Sequence, residues 1–301
     1  VAGGQERTLR RRIRSVSSTR KTTRAMELIA GSRIVRAQAR IVAARPYAQA
    51  MDALAADLAA MAGGLPHPFL APPDPAASAV LVVVAGDRGL SGAYNANVLR
   101  AAEATIRARR RAGGRVTVVA VGKRAQSYLR FRGEEVAKTW VGLTDRPTAE
   151  EAAAVAADVF DRVLAGGVSV VEVVSTRFRS LAVQAVEHRR LLPVVAEGGR
   201  PFDYETEPDR LELVDLVAPQ LVESGLFLAL LEAAASEHAA RQRAMKAATD
   251  NADELITTLR RIMNRARQDA ITTEIMDIVG GAEALRQAQG NPPPVLGPED
   301  D

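Results

Sequence analysis

Apolar residues recur at alternating steps of four and three along the first sixty positions: Ala30, Ile34, Ala37, Ile41, Ala44, Ala48, Met51, Ala55 and Leu58. This spacing lays one narrow apolar seam along a single long helix, the pattern of a left-handed coiled coil. Five of the nine are alanine, so a partner backbone can approach closely. At about 1.5 Å per residue the helix is on the order of 80 Å long, more than a domain built by this chain would span. Pro46 lacks an N–H and its ring crowds the carbonyl four residues back, which predicts a bend there. After Pro208 a second helical stretch begins. Within it Met245, Thr249, Ala252, Ile256, Leu259, Met263, Ala266 and Ala270 repeat the same steps, with Thr249 the only polar member. Neither helix can hide its seam alone, so the two chain ends are predicted to pair as an antiparallel coiled coil.

Between them the pattern changes. Val80–Ala85, Val116–Val121 and Val168–Val174 are short β-branched runs suited to strands buried on both faces. Helical stretches at Asn95–Arg111, Lys123–Arg132 and Thr148–Leu164 alternate with them, and Glu187–Val195 reads as a final edge strand. Alternating strand and helix predict a Rossmann-like, mainly parallel α/β domain. The five prolines Pro66, Pro68, Pro72, Pro73 and Pro75 end the first helix in a stiff linker. The domain expectation is therefore a helix over 5–62, a linker over 63–76, an α/β domain over 77–207, a helix over 208–289 and a disordered tail over 290–301.

Composition narrows the chemistry. The chain has 301 residues, 47% of them apolar and 25% charged, enough for a sizeable core. There is no cysteine, which excludes disulfides, thiolate metal sites and a cysteine nucleophile. His67, His188 and His238 lie far apart, so no histidine metal centre is expected. No apolar run approaches the roughly 18 residues of a membrane span, and the N-terminus lacks a secretory apolar core; a soluble intracellular protein is expected. The net charge of +4 conceals an asymmetry, with 12 Lys and Arg against two acids from Val1 to Arg45. That segment calls for an acidic partner: nucleic acid, an anionic membrane surface or acidic protein loops.

Gly86–Gly92 follows a strand and precedes a helix, where phosphate loops sit, but its spacing is G-x-x-G-x-x-G, and Gly122-Lys123 is followed by Arg124. A tight turn passing close to other backbone fits better. Arg10–Arg14 carries no interleaved aromatic for base stacking. Asp250, Asp253 and Glu254 read as solvent-facing or salt-bridging groups. No catalytic constellation, cofactor site or metal site emerges from the spacing. What stands out is polarity on the second helix, where Arg267, Gln268, Thr272 and Glu274 recur at helix-neighbour offsets. They form either a solvated face or a docking stripe.

Three separated stretches carry a resemblance. Ile13–Ala30 resembles the N-terminal signature, and Ala266–Leu285 the C-terminal signature, of the γ subunit of F-type ATP synthases. Asp87–Asn95 is similar to that family's D-[RK]-G-L-x-G-x-[FY]-N motif. The resemblance spans roughly residues 5 to 289. It implies a non-catalytic central-stalk rotor that transmits torque between a proton-driven c-ring and the catalytic β subunits. The implied partners are the alternating α and β subunits, the ε subunit and the c-ring, with one copy per complex, no nucleic acid and no cofactor. The implied location is the cytoplasmic face of a bacterial plasma membrane, held peripherally. Residues matching Met26, Arg241, Arg267, Gln268, Thr272 and Glu274 are implied in β-subunit contact and coupling. Phe202–Glu207, with Tyr204 and Glu205, matches the foot that meets the c-ring and ε. Ser91 stands where many relatives have cysteine, and the paired cysteines of the light-regulated plant form are absent. Two other classes compete: a coiled-coil adaptor binding nucleic acid through its basic end, and a mononucleotide-binding enzyme with a helical arm. The first predicts steep salt dependence, the second ligand-induced stabilisation of the central domain.

Overall fold

A computed structural model describes residues 2–61, 67–70, 74, 76–165, 168–195 and 206–289. The chain separates into two compact units, Ala25–Lys246 and a second made of Val1–Arg24 with Ala247–Asp301. The division falls inside both long helices, α1 (Ala2–Met61) and α5 (Arg210–Gln289), rather than between helix and sheet.

In the unit Ala25–Lys246 the elements β1 (Ala79–Val84), α2 (Tyr94–Arg111), β2 (Val116–Val121), α3 (Lys123–Phe131), β3 (Val136–Trp140), α4 (Ala149–Leu164), β4 (Val170–Phe178) and β5 (Gln184–Leu192) build one sheet. The strand order is β3-β2-β1-β4-β5; every neighbouring pair is parallel except β4 and β5. Successive side chains of β1 leave on opposite faces, as strand geometry requires. Val80, Val82 and Val84 pack with Val155 and Val159 of α4 and with Leu221, Leu226 and Leu230 of α5. Leu81 and Val83 pack with Val98, Ala102 and Ile106 of α2 and with Leu129 of α3. Both faces are covered, which explains the unbroken valine runs.

In the same unit α1 pairs with α5: Ile34, Ile41 and Ala48 bury against Leu228, Leu231, Ala235 and Ala239. Arg45 reaches Glu232 at 2.8 Å and the space beside Gly31 is filled by Gln242, so the helices run antiparallel. Arg33 to Asp145 at 2.6 Å, Arg40 to the Pro147 carbonyl and Arg189 to Asp52 at 2.6 Å fasten α1 to the α/β domain. In the second unit the pairing is again antiparallel. The Thr23 and Thr249 hydroxyls share a buried hydrogen bond of 2.8 Å, and Arg20 donates to Asp253 at 2.6 Å. Thr249, Ala252, Ile256 and Leu259 are all at most 7% exposed, so the seam read from the sequence is buried there.

Several expectations change. Strand β3 was not expected. Its run Val-Ala-Lys-Thr-Trp is short and interrupted by polar residues because it lies at the sheet edge. Strand β4 continues past Val174 to Phe178, and β5 begins at Gln184, because the two form a hairpin ladder that satisfies polar Ser175, Thr176 and Arg177 backbone. Helix α4 starts one residue later than expected because Thr148 is its cap: its hydroxyl accepts from Glu151 N, and the Glu151 carboxylate accepts from Thr148 N. Helix α1 runs through Pro46 as the single long helix expected, and Pro46 is exposed, so water can reach the carbonyl its ring displaces. One apolarity expectation is corrected: α5 contains an 18-residue window apolar enough, by length and composition alone, to cross a bilayer. That apolarity follows from packing on two sides, against the sheet and against α1. Most of the linker, the tail over 290–301, and both Tyr204 and Glu205 lie outside the described residues.

Candidate functional site

The Asp87–Asn95 loop leaves the C-terminal end of β1, and its first carboxylate ties three strand ends together. Asp87 accepts from Lys123 N at 3.0 Å, Gly142 N at 2.9 Å and the Thr144 hydroxyl at 3.0 Å. These groups follow β2 and β3, so one short acceptor fixes the top of the parallel sheet. Asn95 closes the loop by accepting from Gly86 N at 2.8 Å and donating to the Arg88 carbonyl at 3.3 Å. Gly122 is obligatory, and Gly86 is tightly packed. A Cβ on Gly122, at φ +98°, would lie 1.9 Å from the Ala85 carbonyl oxygen. A Cβ on Gly86 would sit 2.9 Å from the Glu237 carboxylate. The expected close approach is therefore real, but at Gly86 the neighbour is a side chain of α5 rather than backbone.

Helix α5 answers this loop with Glu237, His238 and Arg241, at most 8% exposed. Arg241 pairs with Glu237 one turn away and donates to the Gly89 carbonyl at 3.2 Å. Burial pushes the Glu237 carboxyl up; Arg241 opposes that, while Asp145 and Asp87 add to it. Burial lowers His238, so the ring is neutral. Its Nε2 lies 3.2 Å from the Asp145 carbonyl, an acceptor only, which makes Nε2 the protonated nitrogen and leaves buried Nδ1 without a partner. Met26 is half-buried and lines, with Arg241, Arg33, Arg88 and Arg124, a cavity of about 460 Å³. Of the sequence-derived site residues, the structure thus brings Met26 and Arg241 together, beside the β1 loop.

Arg267, Gln268, Thr272 and Glu274 belong to the second unit, where all four are exposed. Thr272 donates to the Gln268 carbonyl one turn back at 3.0 Å. Their side chains lie on one exposed stretch of α5. Asp253, read as a possible ion-pair former, does pair with Arg20.

A protein-family model described as ATP synthase matches residues 5–285. The chain is 45% identical to the ATP synthase gamma chain of Acidothermus cellulolyticus, covering 94% of this chain and 98% of that one. The gamma chain of Mycobacterium tuberculosis is likewise 45% identical with the same coverage. The chain belongs to the ATP synthase gamma chain family. Among solved structures, the fold matches a chain of the Euglena gracilis mitochondrial ATP synthase assembly of OSCP, F1 and c-ring. The TM-score is 0.69 at 17% identity, over 99% of this chain and 100% of that one. A chain from the Tetrahymena thermophila central stalk and c-ring gives 0.60 at 23% identity, over 75% and 99%.

Sequence reasoning on this gamma chain missed a buried, tightly held carboxylate. Glu172 interrupts the valine run of β4, where it is 4% exposed. Burial alone would raise its pKa, but Arg109 grips it bidentately at 2.6 and 2.8 Å and His188 approaches at 3.3 Å. Together they bring it down to about 2. A lone acid within a buried run was the available signal, but its partner is 63 residues away on α2. Among the described residues, no group of three or more His, Asp or Glu side chains is placed to hold a metal ion.

Proposed function

We propose that this gamma chain is the non-catalytic central shaft of its ATP synthase and that its two long helices carry torque to the catalytic β subunits. The observation that carries the reading is the antiparallel pairing of the chain ends by a mostly apolar seam with one buried threonine pair, in a chain of this family. On this reading Arg267, Gln268, Thr272 and Glu274, on the exposed stretch of α5, are the β-facing contacts, while Met26 and buried Arg241, beside the β1 loop, serve coupling by holding α5 to that loop. Exposed Arg267 and Gln268 offer charge-assisted and neutral hydrogen bonds that a partner can accept without disturbing the seam. The partners are an alternating ring of α and β subunits, the ε subunit and the c-ring, with the complex at the cytoplasmic face of a bacterial plasma membrane. Tyr204 and Glu205 belong to the proposed foot.

Coupling of this kind requires each shaft orientation to favour some β conformations over others, since a partner with equal affinity for two states shifts nothing. Arg267→Ala combined with Gln268→Ala is expected to lower proton-driven ATP synthesis in membrane vesicles while leaving the unfolding transition of the chain unchanged. Synthesis equal to wild type would reject the coupling role. Purification of the tagged chain from its host should yield one copy for every three α and three β subunits, and a complex of any other ratio would reject the shaft.

A further inference from the structure

The turns at the N-terminal edge of the sheet take no part in coupling as proposed above. Helix α2 ends at Arg111 before β2 begins at Val116, and α3 ends at Phe131 before β3 begins at Val136. Both turns therefore lie at the edge opposite the Asp87–Asn95 loop, within the unit Ala25–Lys246. The antiparallel β5 finishes at this same edge, where Leu192 pairs with Val171 near the start of β4. The chain thus leaves the sheet here on its way to Phe202–Glu207, the segment read as the foot.

These turns carry a protruding aromatic among arginines. Phe131 is 85% exposed, more than any other large apolar side chain among the described residues, and Arg130 and Arg132 flank it in sequence. Ion pairs hold the ends of α2 and α3 together: Glu103 takes Arg107 and Arg132, and Glu134 takes Arg110 at 2.5 Å. Arg111 reaches only the Arg107 carbonyl of its own helix, and neither Arg115 nor Arg130 has a carboxylate partner among the described residues. Arg107, Arg110, Arg111, Arg115, Arg130 and Arg132 thus outnumber Glu103, Glu134 and Glu135, an excess of three positive charges. Cations in a last helical turn complement the helix dipole, which accounts for Arg110 and Arg111 but not for an aromatic ring set in water beside them.

We propose that this edge rests on an anionic lipid surface, with the Phe131 ring at headgroup depth and Arg111, Arg115 and Arg130 against lipid phosphates. The inference rests on the proposed function for its access to a membrane, because the foot end of the shaft then faces the c-ring. A protein partner needs a complementary face on the order of 1,000 Å², and one aromatic supplies a single anchor. A bilayer asks for no such fit. Its attraction adds over every unpaired cation, and one ring entering the interface adds the apolar share.

A reporter at the patch tests this. Phe131→Trp puts an indole there, and the wild-type chain, with Trp140 alone, supplies the background. The full chain is mixed with vesicles of phosphatidylcholine, with or without an equal part of phosphatidylglycerol, the lipids brominated to quench indole emission. Quenching beyond the background is expected with the anionic vesicles only, lowered about tenfold when Arg130→Glu is added. The same quenching, measured against the wild-type complex, is expected when the complete ATP synthase carrying Phe131→Trp is reconstituted in the anionic vesicles. Quenching that is absent, equal in neutral vesicles or unmoved by Arg130→Glu overturns the proposal. An indole left unquenched in the complex overturns it too, and a blue shift there would assign the patch to a neighbouring subunit. The ratio of α and β subunits in that complex is read separately, so failure of the shaft reading is told apart from failure of the lipid contact.

Discussion

In the unit Ala25–Lys246, Leu226, Leu230 and Leu231 of α5 are at most 2% exposed, whereas Ile271, Ile275, Met276 and Ile278 of the same helix, in the second unit, are 46–71% exposed. Both stretches are helical, but Leu226–Leu231 is wholly apolar whereas Ile271–Ile278 mixes aliphatic with polar residues. The first finds its partners in its own chain, the β1 valines on one side and α1 on the other. The second presents aliphatic side chains to water alongside Arg267 and Glu274. Contiguous exposed apolar surface of that kind marks a place where another molecule binds. The charges differ in parallel. The α/β unit buries Arg109–Glu172 and Arg241–Glu237, while Arg20–Asp253 in the second unit remains open to solvent. On the proposed function, one unit is finished by folding and the other by assembly.

The sharpest way to break this contrast is Arg109→Ala, which leaves Glu172 charged and buried. A loss of about 3–5 kcal/mol is expected in denaturant unfolding. The same pair sets a pH dependence. Glu172 has a folded pKa of about 2 against an ordinary 4.5. Its stabilisation is therefore complete above pH 4.5 and drains away as the pH falls towards 2. Glu172→Gln should flatten that part of the acid limb, and an unchanged acid limb would remove the pair from the account. Leu230→Ala should cost about 2–5 kcal/mol by opening a cavity under the sheet, measured by the same unfolding transition.

Effects in the second unit should be smaller. Thr249→Val removes the bond between the two hydroxyls while Thr23 keeps its bond to the Arg20 carbonyl, and should cost about 1 kcal/mol or less in the same unfolding transition. Ile275→Ser should change the isolated chain's stability by less than about 0.5 kcal/mol. Its effect belongs to assembly, read as weaker retention of the chain by the complex in pull-down. If Ile275→Ser destabilised the chain as much as Leu230→Ala, the contrast between the units would be wrong.

What could be read from residues alone was local and periodic. The four-three steps from Ala30 to Leu58 and from Met245 to Ala270 require only that a helix hide one stripe, and Val80–Ala85 and Val116–Val121 require only a strand covered on both faces. Tertiary structure decided everything that depends on chain segments distant in sequence. Asp87 gathers Lys123, Gly142 and Thr144; Gly122 is held to glycine by the Ala85 carbonyl; and Glu172 meets Arg109. Local patterns state which face of an element must be buried, but not which other element will cover it. Hydrogen bonds and ion pairs are directional and short-ranged, so their partners exist only once the packed layers have set the distances.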